Sequence, residues 1–232
     1  MVKYGFNANL YVEGYMRKEA TQKEDQYKIW MTDDELEELR RHAENHRDDI
    51  ILQLGGYVGL RAFEIPQVQP QHVKRTSDGD HYRLRMHVKR TSDGDHYRLR
   101  IPEGKDTTGN GGKPRDAYLP GPVESDIHRF INSEGIDRSE PIVDLTPRAV
   151  RAIVKRTARR AAEETGVEDF DYVSAHDLRR RYAQRLLVDN QMNPRVVMSV
   201  GGWDSFQAIE PYLNSPSEDV VNSAFEEADL DL

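Results

Sequence analysis

The chain has 232 residues, 37% of them hydrophobic and none of them cysteine, so one folded domain is affordable while a disulfide framework and a thiolate metal site are excluded. No apolar run approaches the roughly 18 residues of a membrane span, and nothing at the N-terminus reads as a signal peptide, so a cytoplasmic protein is expected. A formal net charge of −8 argues, taken alone, against a nucleic-acid partner, which makes any local basic patch more informative than the total. The 33 basic residues are 24 arginines and 9 lysines, and acids concentrate in 33–38, 163–171 and 218–231, a pattern that resembles proteins from high-salt cytoplasm.

Residues 1–30 are polar with scattered tyrosines and no sustained apolar period, and read as an N-terminal arm. Thr32-Asp33-Asp34-Glu35 is a capping box, opening a charged helix that the sequence carries through Asp48-Asp49. A buried helix is expected next, over Ile50, Ile51, Leu52, Leu54, Tyr57, Val58 and Leu60, with Pro66 ending the region. Residues 72–100 hold an internal repeat: His72–Arg85 recurs identically as His87–Arg100, and each copy reads as strand, Ser-Asp-Gly-Asp turn, strand. A Gly-rich turn over 103–113 leads to a strand ending near Leu119-Pro120. The rest reads as helical, with one helix over Val123–Asn132 closing at Gly135 and another from Thr146-Pro147 to Gly166. Ser174 caps a helix carrying His176–Leu187, Asn193-Pro194 starts a short one, and Asp204-Ser205 starts the helix that carries Tyr212. An acidic tail closes the chain over 216–232, with Val220, Val221 and Phe225 as its apolar residues.

Three short motifs carry chemistry. In Gly59-Leu60-Arg61-Ala62-Phe63-Glu64 an arginine directly follows a buried helix, a costly place unless it meets an anion or a carboxylate such as Glu64. In His176-Asp177-Leu178-Arg179 the histidine and arginine are three apart, on one face of a helix whose N-terminus favours phosphate; the arginines that follow also fit a surface helix. Gly201-Gly202-Trp203 allows close backbone approach and offers an indole N–H, and Tyr212 follows Trp203 by nine residues. Arg148, Arg151, Lys155, Arg156 and Arg159 form a basic stretch of helix with no acid from Pro147 through Arg160, a plausible track for DNA phosphates as well as a solvated face. His42 and His46 superficially suggest a zinc helix, but Glu44 is misplaced for an H-E-x-x-H arrangement and no third ligand is evident, so no metal is expected.

In order and spacing these motifs resemble the tyrosine recombinase family of Xer, Cre and phage-integrase proteins over about residues 31–215. The resemblance implies an α+β, mainly helical catalytic domain with a small antiparallel β-sheet, acting on double-stranded DNA at a specific site as a homo-oligomer, with no cofactor. It implies that Arg61 and Arg179 hold the scissile phosphate. His176 would bond a phosphate oxygen or help activate the tyrosine, Trp203 would donate its N–H to the phosphate, and Tyr212 would attack phosphorus to give a 3′-phosphotyrosine. A phenol ionises only near pH of about 10, so the surrounding cations must assist it. Lys105, opening the turn after Ile101-Pro102, is the expected general acid for the 5′-oxygen, with Lys113 as its rival; Glu64 is a structural partner of the arginines. The sequence departs from the family at the front, where residues 1–30 are too few for the usual N-terminal clamp domain, and at the duplicated hairpin between Arg61 and Lys105. A non-cleaving DNA-binding regulator and a type IB topoisomerase-like relaxing activity are the competing readings.

Overall fold

The computed structural model describes residues 16–22, 26–70, 73–75, 82–84, 97–101 and 115–213. Within the segment read as an arm, β1 (Arg17–Ala20) and β2 (Tyr27–Trp30) form an antiparallel hairpin with Arg17 opposite Trp30. Ile29 and Trp30 of β2 are buried, as are Met16 and Met31 beside the hairpin, while β1 is exposed, so β2 anchors this part of the segment to the folded body.

Thr32 caps α1 (Asp33–Arg41) in the expected capping box: its hydroxyl accepts from the Glu35 N–H, while Glu35 accepts from the Thr32 N–H. The charged helix does not run through Asp48-Asp49. It stops at His42, and Asn45 caps a new helix, α2 (His46–Gly56), by accepting from the Asp48 N–H. The two aspartates thus sit in the first turn of the buried helix, where its dipole favours negative charge. Helix α2 is the centre of the fold: Ile50, Ile51, Leu52 and Leu54 are buried on every side because α1, α3, α4 and α5 all pack around it.

Three two-stranded antiparallel sheets are seen among the described residues. In the first repeat copy, β3 (Val73–Arg75) pairs with β4 (Tyr82–Leu84), the hairpin read from the sequence. The second copy supplies β5 (Tyr97–Ile101), whose described partner is β6 (Arg115–Leu119); the copy's first strand lies outside the described residues, as do the Gly-rich turn and the acidic tail. Strand β6 alternates, with Arg115, Ala117 and Leu119 buried and Tyr118 exposed.

The helices that follow match the caps in the sequence. Helix α3 (Gly121–Glu134) ends on left-handed Gly135, and α4 (Pro147–Thr165) runs from a Thr146 cap to left-handed Gly166. Helix α5 (Ala175–Gln184) continues into a π turn over Arg185–Asp189. Helix α6 (Pro194–Gly201) follows an Asn193 cap, and α7 (Phe206–Ile209), capped by Ser205, passes into a 3-10 turn over Glu210–Tyr212 that contains Pro211. A large apolar cluster joins α1–α5 with the β5–β6 hairpin. A second, smaller one gathers Trp30, Tyr182, Ala183, Leu187, Val197, Trp203, Ile209 and Tyr212.

Candidate active site

Trp203 and Tyr212 belong to the second cluster, and the other candidate catalytic residues within the described chain border it: Arg179 lies over Trp203, His176 faces Tyr212, and Arg61 reaches the Gly202 carbonyl. Helix α5 supplies two of them from its first turns. Asp177 fixes that end of the helix by accepting from the Ser174 N–H (2.9 Å) and hydroxyl (2.6 Å). Its other oxygen accepts from Arg180 and from the Ile29 N–H of β2 (2.9 Å), which ties the N-terminal hairpin to the His-x-x-Arg helix. Of the arginines that suggested a surface helix, Arg180 is buried on Asp177 and Arg181 on Asp33 and Asp189, while the side chain of Arg185 stays 38% exposed beside Asp33.

Arg179 is 1% exposed and makes no ion pair among the described residues. Its guanidinium donates to the Gly59 carbonyl and, at 2.6 Å, to the Gly201 carbonyl, and lies 4.0 Å over the Trp203 ring. Burial first, then the charges of Arg61 and Arg115, pushes its pKa down to about 9, against the opposing pull of Glu64 and Tyr212. It therefore remains a cation at pH 7, held in place by carbonyl dipoles.

Arg61 follows α2 through Gly59, whose φ of +74° and close approach to Tyr182 leave no room for a side chain: a Cβ there would stand 2.3 Å from the ring. Arg61 donates to Glu64 Oε1 (2.9 Å) and to the Gly202 carbonyl (2.8 Å), and its backbone N–H donates to Glu64 Oε2 (2.7 Å). Glu64 is 0% exposed and is shared with Arg115, which donates to both of its oxygens, to Oε2 at 2.9 Å. Burial alone would raise the Glu64 pKa; the bonds and charge of Arg115, then those of Arg61, outweigh it and hold the carboxyl below its ordinary value. Two guanidinium groups therefore share one carboxylate while the third, Arg179, rests on carbonyls beside them, a local excess of positive charge that calls for an anion.

Tyr212 is 7% exposed and sits between two indoles, edge-on to Trp203 (5.6 Å) and to Trp30 (6.3 Å). Its Oη is 3.5 Å from His176 Nε2, a long contact of the kind that tightens when substrate completes a site. Enclosure by the fold and the positive charges of Arg180, Arg179 and Arg61 lower the His176 pKa to about 4, against Asp177. The imidazole keeps an exposed side, where water screens part of this effect, and it is neutral at pH 7. Tyr182 stacks on Trp203 with ring planes 7° apart.

Lys105 and its rival Lys113 lie outside the described residues. On α4, Arg148, Arg151, Lys155, Arg156 and Arg159 are all exposed, and none bonds to a residue of the cluster. They are not equivalent: Arg156 pairs with Glu44 (3.3 Å) and Asp48 (3.2 Å), and Lys155 donates to the Asp171 carbonyl, while Arg148, Arg151 and Arg159 make no ion pair among the described residues. His42 bridges Glu38 and Glu164, and His46 packs edge-on to Phe130 from the next helix, so the two histidines do not share one helix.

Two residues of the site escaped the sequence reading, Arg115 and Trp30. The signal for Arg115 was the two-residue alternation that places it on the same strand face as Ala117 and Leu119. For Trp30 it was the short apolar run Ile29-Trp30-Met31 just before the capping box.

Residues 129–218 match the model of the phage integrase family, a span that holds His176, Arg179, Trp203 and Tyr212. No curated protein sequence matches the chain. Among solved structures it is similar to XerA recombinase (TM-score 0.58, 12% identity, covering 92% of this chain and 68% of that one). It is also similar to the Tn1549 transposon integrase in complex with transposon right end DNA (TM-score 0.56, 15% identity, 89% of this chain and 68% of that one). A third is XerH site-specific recombinase bound to its palindromic difH substrate (TM-score 0.55, 15% identity, 86% of this chain and 53% of that one). The chain thus spans between about half and two thirds of the length of these structures. The chain is thus similar to the phage integrase family over residues 129–218, and its described residues carry the mostly helical fold of these recombinase structures.

Proposed function

We propose that the chain is a site-specific recombinase that cleaves and rejoins double-stranded DNA through a 3′-phosphotyrosine bond at Tyr212. The observation that carries this is the excess of guanidinium charge around one carboxylate, with a tyrosine and a neutral imidazole in the same cluster. A phosphodiester is the anion that suits it, because planar guanidinium forks pair with phosphate oxygens and stay charged.

In the reaction, Arg61 and Arg179 donate to the non-bridging oxygens and neutralise the charge that builds on them. The Tyr212 oxygen attacks phosphorus while its proton passes to neutral His176. The bond to the 5′-oxygen breaks, and Lys105 supplies the proton that this oxygen takes up. Reversal by a 5′-hydroxyl of another strand rejoins the DNA and frees the tyrosine, so no hydrolysis or external energy is required. Trp203 supports both arginine and tyrosine: the Arg179 guanidinium lies on its face and Tyr212 against its ring.

Arg148, Arg151 and Arg159, exposed on one helix of an otherwise acidic chain, would track the DNA backbone. Recombination needs two sites cut together, so the chain would act as a homo-oligomer on DNA. No helix among the described residues is long and apolar enough to cross a membrane, which fits work on DNA in the cytoplasm. The Tyr212→Phe substitution tests the proposal, because it removes one oxygen and should abolish covalent trapping on a nicked suicide substrate.

A further inference from the structure

We infer that Arg115 is a positioning residue for this reaction: it holds Glu64 so that Arg61 keeps part of its donor fork free for the scissile phosphate. The inference rests on the reading that Arg61 binds that phosphate.

Two guanidinium groups compete for one buried carboxylate, and they share it unequally. Arg115 engages both oxygens of Glu64, with Nη1 on Oε1 and Nη2 on Oε2. Arg61 places only Nη1 on Oε1 and turns Nη2 to the Gly202 carbonyl. The side chain of Arg61 is 20% exposed and that of Arg115 is 6% exposed, so Arg61 faces the opening and Arg115 stands behind. Without Arg115, Glu64 would be a buried charge with one cation left. The bidentate pairing now made by Arg115 would then draw the Arg61 fork inward, away from an incoming phosphate.

Arg115 also fixes the platform on which both arginines rest. Its Nε donates to the Val200 carbonyl (3.3 Å) at the end of α6. Its aliphatic stem lies against Gly202, which has φ +69° and where a Cβ would stand 2.6 Å from Arg115 Cδ. The neighbouring carbonyls of Gly201 and Gly202 are the ones that hold Arg179 and Arg61. One side chain at the start of β6 thus sets the loop carrying Arg61, the end of α6 and, through them, the spacing of the two phosphate-binding forks. Every Arg115 nitrogen already donates within the protein, to Glu64 or Val200, so it acts through these partners and not on DNA itself.

The test is single-turnover cleavage of a nicked suicide duplex by the full chain, with DNA affinity measured alongside. Arg115→Met should slow cleavage at saturating DNA about 100-fold, the scale of a misplaced catalytic group, and change the dissociation constant less than threefold. Arg115→Lys restores the charge without the fork and should recover about a tenth of the lost rate. In an Arg61→Lys background, Arg115→Met should add less than a threefold loss of rate while lowering the melting temperature as much as it does alone. Equal rate losses in both backgrounds, or parent-level cleavage by folded Arg115→Met, would overturn the assignment. If the Met variant does not fold, Arg115→Lys in the two backgrounds decides by the same comparison. An adduct from the parent is the control for the proposed function. Without one, that reading fails, and the brace is read from the Arg61 side-chain 15N signal, which Arg115→Met must shift; an unmoved signal overturns it.

Discussion

Glu64→Gln is the substitution in which the electrostatics of the site should be most visible. The native carboxylate is 0% exposed and accepts from the Arg61 backbone, the Arg61 guanidinium and both ends of the Arg115 fork. Glutamine keeps the shape but removes the charge, and its amide group presents donors to donors on one side. Breaking a buried pair by removing one partner typically costs about 3–5 kcal/mol, and here two cations lose the same partner, so the upper part of that range applies. For a domain of this size each kcal/mol moves the melting temperature by about 2–4 °C, so a loss of about 4–5 kcal/mol should lower the midpoint by roughly 8–20 °C. The pH dependence carries the sign. The folded-state pKa of Glu64 is held below its ordinary 4.5, so its stabilisation is present above that value and lost as pH falls through the folded pKa. Parent and variant stabilities, from urea titrations between pH 3 and pH 7, should therefore differ most at neutral pH and converge in acid. Added sulfate or phosphate should raise the variant's midpoint more than the parent's, because the stranded guanidinium groups bind anions. A loss below about 1 kcal/mol, a gap constant with pH, or equal anion effects would refute the account of the arginine cluster.

Two other perturbations separate roles within the same site and along α4. Because His176 is neutral well below pH 7, the rate of adduct formation at subsaturating DNA should stay level from about pH 6 to 8; an acid limb centred on the ordinary histidine value of 6.5 would contradict a depressed imidazole. Replacing Arg148 and Arg151 together with alanine should reduce the salt dependence of DNA affinity by about two units of slope, roughly one per lost phosphate contact, whereas Arg156→Ala should leave it nearly unchanged because that side chain is spent on Asp48 and Glu44. Equal slopes for the three proteins would remove α4 from the DNA interface.

Local chemistry made much of this fold legible. Thr32, Gly135, Thr146, Gly166 and Asn193 stand at helix ends because their caps are satisfied within a turn, which a linear reading can detect. The break before α2 was missed because the charged run 33–49 keeps helical character on both sides of Asn45, and only the cap geometry divides it. The chemical residues of the His-x-x-Arg and Gly-Gly-Trp motifs were readable because their spacing is local. Arg115 was not, since the alternation of its strand marks a buried face without naming its partner, and Glu64 lies 51 positions earlier. Trp30 was hidden for a related reason: two four-residue strands give too short an alternation to stand out, and their burial depends on α5 and on Tyr212 at the far end of the chain.

The central claim is the covalent bond to Tyr212, and the direct measurement is denaturing electrophoresis of the protein after incubation with a labelled duplex. The duplex should be a library drawn from the flanking genomic DNA and nicked to prevent religation. The parent should yield a labelled adduct that survives denaturant, and mass spectrometry of the digested adduct should place the nucleotide on the peptide containing Tyr212. Tyr212→Phe should bind DNA with parent affinity and give no adduct. A denaturant-resistant adduct from Tyr212→Phe, or a nucleotide on any other residue of the parent, would contradict the account.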